Sequence, residues 1–158
     1  MVRILLTELP PMQPHEFEDV LAQLVRDDPR YPTEAYGFLR QGLDAAVKLY
    51  SKPDHGPGRH VTGQELLEAL RQCALREFGP MAATVLRSWG IRRTDDFGEM
   101  VFNLVNRGLL GKTDQDRKED FAGGYDFTEA FVTPFRPKAA RTKPLRTPRR
   151  PPQPQDTP

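Results

Sequence analysis

The sequence is short of the side chains that most chemistry needs. Its 158 residues include a single cysteine, Cys73, so no disulfide can close within the chain. That suits a reducing compartment. Only two serines occur, Ser51 and Ser88, and neither stands in a Gly-x-Ser-x-Gly elbow. The three histidines, His15, His55 and His60, are scattered, with no pair at metal-ligand spacing. One cysteine cannot build a zinc site, although three histidines brought together by the fold could still hold a metal. The opening apolar run, Met1 to Leu6, is interrupted by Arg3 and is shorter than a signal core of about seven to fifteen residues. No stretch approaches the roughly twenty apolar residues of a membrane span. The expectation is a cytoplasmic protein with no membrane partner and no cofactor.

What the chain does have is an uneven distribution of charge. Residues 136–158 hold seven of the sixteen prolines, seven basic residues and one acid, a net charge of +6. The whole chain is only +1, so residues 1–135 carry −5. A near-neutral total thus conceals an acidic body joined to a basic tail rich in proline and arginine. A segment with so few apolar residues cannot offset its own ordering entropy, and disorder is expected there. The domain reading is an N-terminal extension over 1–12, one helical domain over 13–135, and the tail.

Within the body the apolar residues recur at helical spacing. Phe17, Val20, Leu21, Leu24 and Val25 mark a first helix, broken by Pro29 and Pro32. A second should start at Thr33, a plausible N-cap, and carry Tyr36, Leu39, Leu43, Ala46, Val47 and Tyr50 on one face. Gly37 and Gly42 each weaken it by roughly 1 kcal/mol relative to alanine. Residues 51–60 form a loop. Thr62 and Glu65 make a capping box for a third helix carrying Leu66, Leu67, Leu70, Cys73, Ala74 and Phe78. It stops at Gly79, and Pro80 opens a short fourth helix that ends at Gly90. Thr94 is expected to cap a fifth helix, with Asp95 and Asp96 in its first turn and Phe97, Met100, Val101, Leu104 and Val105 inward.

After Gly108 the pattern changes. Residues 109–113 and 125–127 suggest two short strands around a charged loop. With the preceding helices they give residues 61–131 the outline of a winged helix-turn-helix. The alternative is an irregular helical bundle with an ordered aromatic C-terminal segment. The fold class is therefore mainly α, about five helices in a compact bundle, with a small C-terminal two-stranded β element.

Several short motifs resemble a family of conserved hypothetical proteins from planctomycete and verrucomicrobial bacteria. They include Asp28-Pro29-Arg30-Tyr31, His60-Val61-Thr62-Gly63-Gln64-Glu65, Phe78-Gly79-Pro80, Asp96-Phe97-Gly98 and Tyr125-Asp126-Phe127. The resemblance spans about residues 17–131 and implies a bacterial cytosolic single-domain protein. It brings no activity, so no residue inherits a role from it.

Motifs that look chemical fare poorly. Asp96-Phe97-Gly98 spells the magnesium motif of kinases, but the glycine-rich loop, strand lysine and catalytic loop are missing. Asp96 then reads as a first-turn helix acid and Phe97 as core. Asp114-Gln115-Asp116 begins like a calcium loop, yet Glu119 stands where glycine is needed and Tyr125 where glutamate is. Cys73 lies on the apolar stripe of its helix, where a thiol is normally inert.

Nucleic-acid binding is the remaining specific option. The Thr94–Arg107 helix would present Asn103, Asn106 and Arg107, with Arg92 and Arg93 just before it. But residues 94–129 hold nine acids against four bases, a net charge of −5 that would repel phosphate. The first expectation is therefore a non-enzymatic module that binds an unidentified protein through exposed acidic and aromatic residues between 94 and 131. The second is a nucleic-acid- or ribosome-associated protein using Arg92, Arg93 and the tail residues Arg141, Lys143, Arg146, Arg149 and Arg150. The tail alone would bind nucleic acid weakly and without sequence preference. An enzyme with an unrecognised site ranks third.

Overall fold

A computed structural model describes residues 3–5, 14–52, 60–112 and 117–137. All five expected helices are present: α1 (Pro14–Asp27), α2 (Thr33–Leu49), α3 (Gly63–Phe78), α4 (Ala82–Ser88) and α5 (Thr94–Asn106). A sixth, α6, spans Phe127–Phe131. Short 3-10 turns cover Gly79–Met81, Lys118–Phe121 and Thr133–Phe135. Two strands, β1 (Arg3–Leu5) and β2 (His60–Thr62), pair antiparallel, with Ile4 opposite Val61.

Helix α3 begins as its sequence dictates. The Thr62 hydroxyl accepts from the Glu65 N–H at 3.1 Å, and the Glu65 carboxylate accepts from the Thr62 N–H at 2.9 Å. Two donors left orphaned at the helix start are thereby satisfied. Thr62 also ends β2, so the N-terminal segment 3–5 is tied to the helical body rather than extending from it.

Helices α2 and α3 form the centre of the core. Leu39, Leu43 and Ala46 from one, and Leu66, Leu70 and Ala74 from the other, are all buried. Gly42 explains itself here, because a side chain at that position would run into Leu70 of α3. The propensity lost at Gly42 allows the two helices to approach closely. Gly37, exposed with nothing near it, has no such role. A second layer of aromatic contacts joins Phe38, Phe78 and Trp89 at ring-centre distances of 5.7–5.8 Å.

The C-terminal half departs from the winged outline. Among the described residues after α5 there is no strand. Leu109 and Leu110 make a bend, with Leu109 buried. The supposed second strand, Tyr125-Asp126-Phe127, runs instead into α6. The reason is local: the Asp126 side chain accepts from the Glu129 N–H at 3.0 Å, an N-cap that starts a helix at Phe127. The aromatic residues that favour a strand in general lose to this cap. The only strand pair among the described residues joins the N-terminus to residues 60–62, far from the expected place.

Candidate functional site

The polar face of α5 is committed to contacts within the molecule. The Asn103 amide donates to the Tyr36 hydroxyl at 3.1 Å and to the Asp28 carboxylate at 3.3 Å. Arg107 pairs with Asp27 at 2.7 Å. Asp28 in turn is held by Arg30 through two guanidinium nitrogens, Nε at 2.9 Å and Nη2 at 2.8 Å. The Arg30 guanidinium keeps the Asp28 carboxyl below the ordinary carboxylate range. Glu99 bridges from Arg30 at 3.5 Å to Lys118 at 3.4 Å. The turn 27–31 between α1 and α2 thus seats on α5. Asn103 and Arg107, expected to read a nucleic-acid groove, serve this seam instead, and only Asn106 of that set is exposed.

Asp96 is the pivot of the same seam. One carboxylate oxygen accepts from the Tyr31 hydroxyl at 2.6 Å. The other accepts from the backbone N–H of Arg92 at 2.8 Å and of Arg93 at 3.1 Å. The N-cap of α5 is therefore Arg93, with Asp96 supplying the capping oxygen. Thr94, expected in the cap position, lies one residue inside the helix. It is 1% exposed and its hydroxyl accepts from the Gly124 N–H at 3.1 Å.

The expected exposed acidic and aromatic face also differs from what the structure holds. Phe97, Phe121 and Phe131 are fully buried, while Tyr125 and Phe127 are half-buried and pack on Phe97 and Phe131. Several acids are structural: Asp96, Asp120 and Asp126 each close the start of a helix or turn. What remains accessible on this side is of both signs: Glu119, Asp126 and Glu129 are exposed, and so are Arg87, Arg92 and Arg93.

Arg92 and Arg93 are exposed between α4 and α5, and Arg87 is exposed near the end of α4. They line two depressions of about 280 and 440 Å³ that share Arg92, Asp126 and Phe127. Ile91 and Val132 complete the apolar floor of the first, and Tyr125 that of the second. Among the described residues no acid pairs with the guanidinium of Arg87, Arg92 or Arg93. By contrast Arg30, Arg71 and Arg107 are all paired. Sequence reasoning finds Arg92 and Arg93 but misses Arg87. The end of α4 and the turn at Gly90 bring it beside a residue five positions later.

The tail residues Arg141, Lys143, Arg146, Arg149 and Arg150 lie outside the described residues. Another depression, of about 560 Å³, lies between α2 and α3 and touches Cys73. That thiol is 1% exposed, and burial pushes its pKa up, away from the reactive thiolate. Among the described residues no group of three metal-ligating side chains is close enough to hold an ion, and no helix is long and apolar enough to cross a membrane.

The tyrosines give this architecture a pH signature. Burial raises the hydroxyl pKa of Tyr31, Tyr36, Tyr50 and Tyr125, and the Asp96 carboxylate raises Tyr31 further. In the unfolded chain these groups ionise near pH 10. A folded pKa above the unfolded one adds stability that is complete below pH 10 and lost as pH rises toward the folded value. Tyrosinate absorbance should therefore lag a model tyrosine and rise together with loss of the helical far-UV signal. Independent titration of all four tyrosines near pH 10 in a folded chain would contradict this packing.

No protein-family model matches the chain, and neither a curated protein nor a solved structure is similar to it. The short-motif resemblance thus brings no function with it.

Proposed function

We propose that this chain is a non-enzymatic protein-binding module whose docking site is the pair of depressions that share Arg92, the first lined also by Arg87 and the second by Arg93. One observation carries the reading: two depressions that share Arg92 and Phe127 are lined by Arg87 and Arg92 in one case and by Arg92 and Arg93 in the other, and none of these guanidiniums has an acidic partner among the described residues. Exposed charge beside half-buried aromatic rings is the composition of an interface, in which arginine and aromatic side chains are enriched. The nucleic-acid alternative draws on the same arginines and the basic tail. It is weakened by Asp95 and Asp126, which line the same surface, and by the commitment of Asn103 and Arg107 elsewhere.

The test is affinity capture by the full chain from its native cell, with and without nuclease. Arg92→Glu/Arg93→Glu serves as the comparison. Both side chains are exposed, and the Asp96 hydrogen bonds use their backbone, so the variant should keep its fold. Proteins retained after nuclease and lost with the variant are the expected result. Proteins that disappear with nuclease, or that bind the variant equally, would overturn the reading.

A further inference from the structure

We infer that the groove between α2 and α3 is the contact face of a homodimer, in which Leu49 of each copy fills the groove of the other. This face shares no residue with the arginine-lined depressions. Its floor is made of small side chains. Ala45 on α2, and Ala69 and Cys73 on α3, leave an open volume of about 560 Å³ between the helices. A large apolar side chain that could fill such a groove stands on the same face. Leu49 lies at the edge of the groove and is 45% exposed, and Tyr50 beside it is 39% exposed. Among the described residues only Met81 and Phe135 are large apolar side chains of comparable exposure, and neither borders this groove. Knob and hole therefore occur together on one surface.

The charges on the walls select the occupant. Asp44 and Lys48 line the α2 side, one helical turn apart, and Arg76 lines the α3 side. None of the three has an ion pair among the described residues; Arg76 donates only to the Cys73 thiol, at 3.5 Å. A nucleic-acid strand would set phosphate against Asp44, and a basic segment would meet Lys48 and Arg76. A second copy presents both signs at the same spacing and can answer each.

That spacing suits a two-fold axis, about which residue i meets j while j meets i. Two α2 helices laid antiparallel, with the axis midway between positions 44 and 48, set Asp44 of each copy level with Lys48 of the other. One operation thus makes two opposite-charge pairs. The crossing point falls beside Ala45, whose small side chain lets the two helices approach closely. The same axis sets Leu49 of one copy level with position 43 of the other. Within each chain α2 and α3 are antiparallel, because Gln41 bonds to Glu77 while Lys52 pairs with Glu65. At the level of position 43 the nearest floor is Ala45 and Cys73, so the leucine arrives over the small side chains.

The test is the mass of the full-length chain in solution, read by sedimentation velocity over a range of concentrations. Far-UV circular dichroism checks that each variant keeps its helices. The unaltered chain should reach twice the 18.0 kDa of one copy. Leu49→Asp alters an exposed side chain and should leave a folded monomer at concentrations where the unaltered chain is dimeric. Asp44→Lys and Lys48→Asp, both at exposed positions, should each weaken self-association at least about tenfold, since like charges then face each other across the axis. An equimolar mixture of these two variants should dimerise again, because every lysine once more faces an aspartate.

A chain that stays monomeric up to its solubility limit would overturn the inference and leave the groove to another occupant. A dimer indifferent to Leu49→Asp and to both charge reversals would place the interface elsewhere and overturn it equally. Weakened single variants that fail to recombine would reject the two-fold pairing of Asp44 with Lys48. None of these outcomes bears on the arginine-lined depressions, whose capture experiment stands by itself.

Discussion

Asp96→Ala should destabilise the chain by about 3 kcal/mol, through lost hydrogen bonds rather than lost apolar packing. Three donors lose their acceptor at once: the Tyr31 hydroxyl and the N–H groups of Arg92 and Arg93. The two backbone donors form the start of α5, where loss of a capping side chain costs about 0.5–2 kcal/mol. The Tyr31 hydroxyl fares worse because Tyr31 is only 3% exposed and water cannot easily replace the carboxylate. An unsatisfied buried donor costs about 1–3 kcal/mol. Asp96→Asn, which keeps one carbonyl oxygen, should lose roughly half as much. Tyr31→Phe removes the stranded hydroxyl together with its partner, so the double variant Tyr31→Phe/Asp96→Ala should be less destabilised than the sum of the singles. Urea denaturation of the unaltered chain, the two singles and the double measures this directly. Strict additivity would show that the Tyr31–Asp96 bond does not operate in the folded chain.

The same seam shows what can and cannot be read in the sequence. Helices are legible because their apolar stripes and end signals are local. Thr62 and Glu65 announce α3, and Gly90 ends the α4 turn with φ +80°, in a place where a side chain would lie 2.7 Å from the Arg30 carbonyl. The partner of the polar face of α5 is not legible. Asp28 and Asn103 are 75 residues apart, and Tyr31 and Asp96 are 65 apart. Nothing in either segment alone says that they meet. A signal is nonetheless present: a turn as charged as Asp27-Asp28-Pro29-Arg30-Tyr31 needs counter-groups, and α5 offers Asp96, Glu99, Asn103 and Arg107 at helical spacing on one side.

The candidate site is half legible for a related reason. Arg92 and Arg93 stand out as adjacent bases in an acidic region, whereas Arg87 looks like an ordinary exposed helix residue. Only the chain reversal after Ser88 brings them together. The β1–β2 pair is hidden because three-residue strands carry almost no periodicity, and their contact spans most of the N-terminal half of the chain. Tyr125-Asp126-Phe127 misleads because its aromatic content points to a strand, while the capping relation between Asp126 and Glu129 decides for a helix.

Phe121→Ala should be the most damaging single truncation in the C-terminal segment, costing about 3–5 kcal/mol, as expected for loss of a fully buried aromatic ring. Phe121 ends the 3-10 turn Lys118–Phe121, which sits on α5 over Gly98. The fit is close. A Cβ on residue 98 would lie 2.9 Å from the Phe121 Cβ and 3.1 Å from the Lys118 carbonyl oxygen. Those atoms belong to backbone and to the base of a side chain, so they can yield only if the whole turn moves. Gly98→Ala should therefore destabilise by about 1–3 kcal/mol through overpacking, even though alanine in a helix interior would otherwise be favoured by about 1 kcal/mol. The two substitutions act on one contact from opposite sides. Once the ring no longer pins the turn, the turn can shift to admit the methyl group introduced at position 98, which fills part of the space the ring vacated. The Gly98→Ala/Phe121→Ala chain should accordingly be more stable than the sum of the two losses by about 1 kcal/mol or more. Chemical denaturation of the cycle reads that difference. Additive losses would mean that the turn does not rest on Gly98.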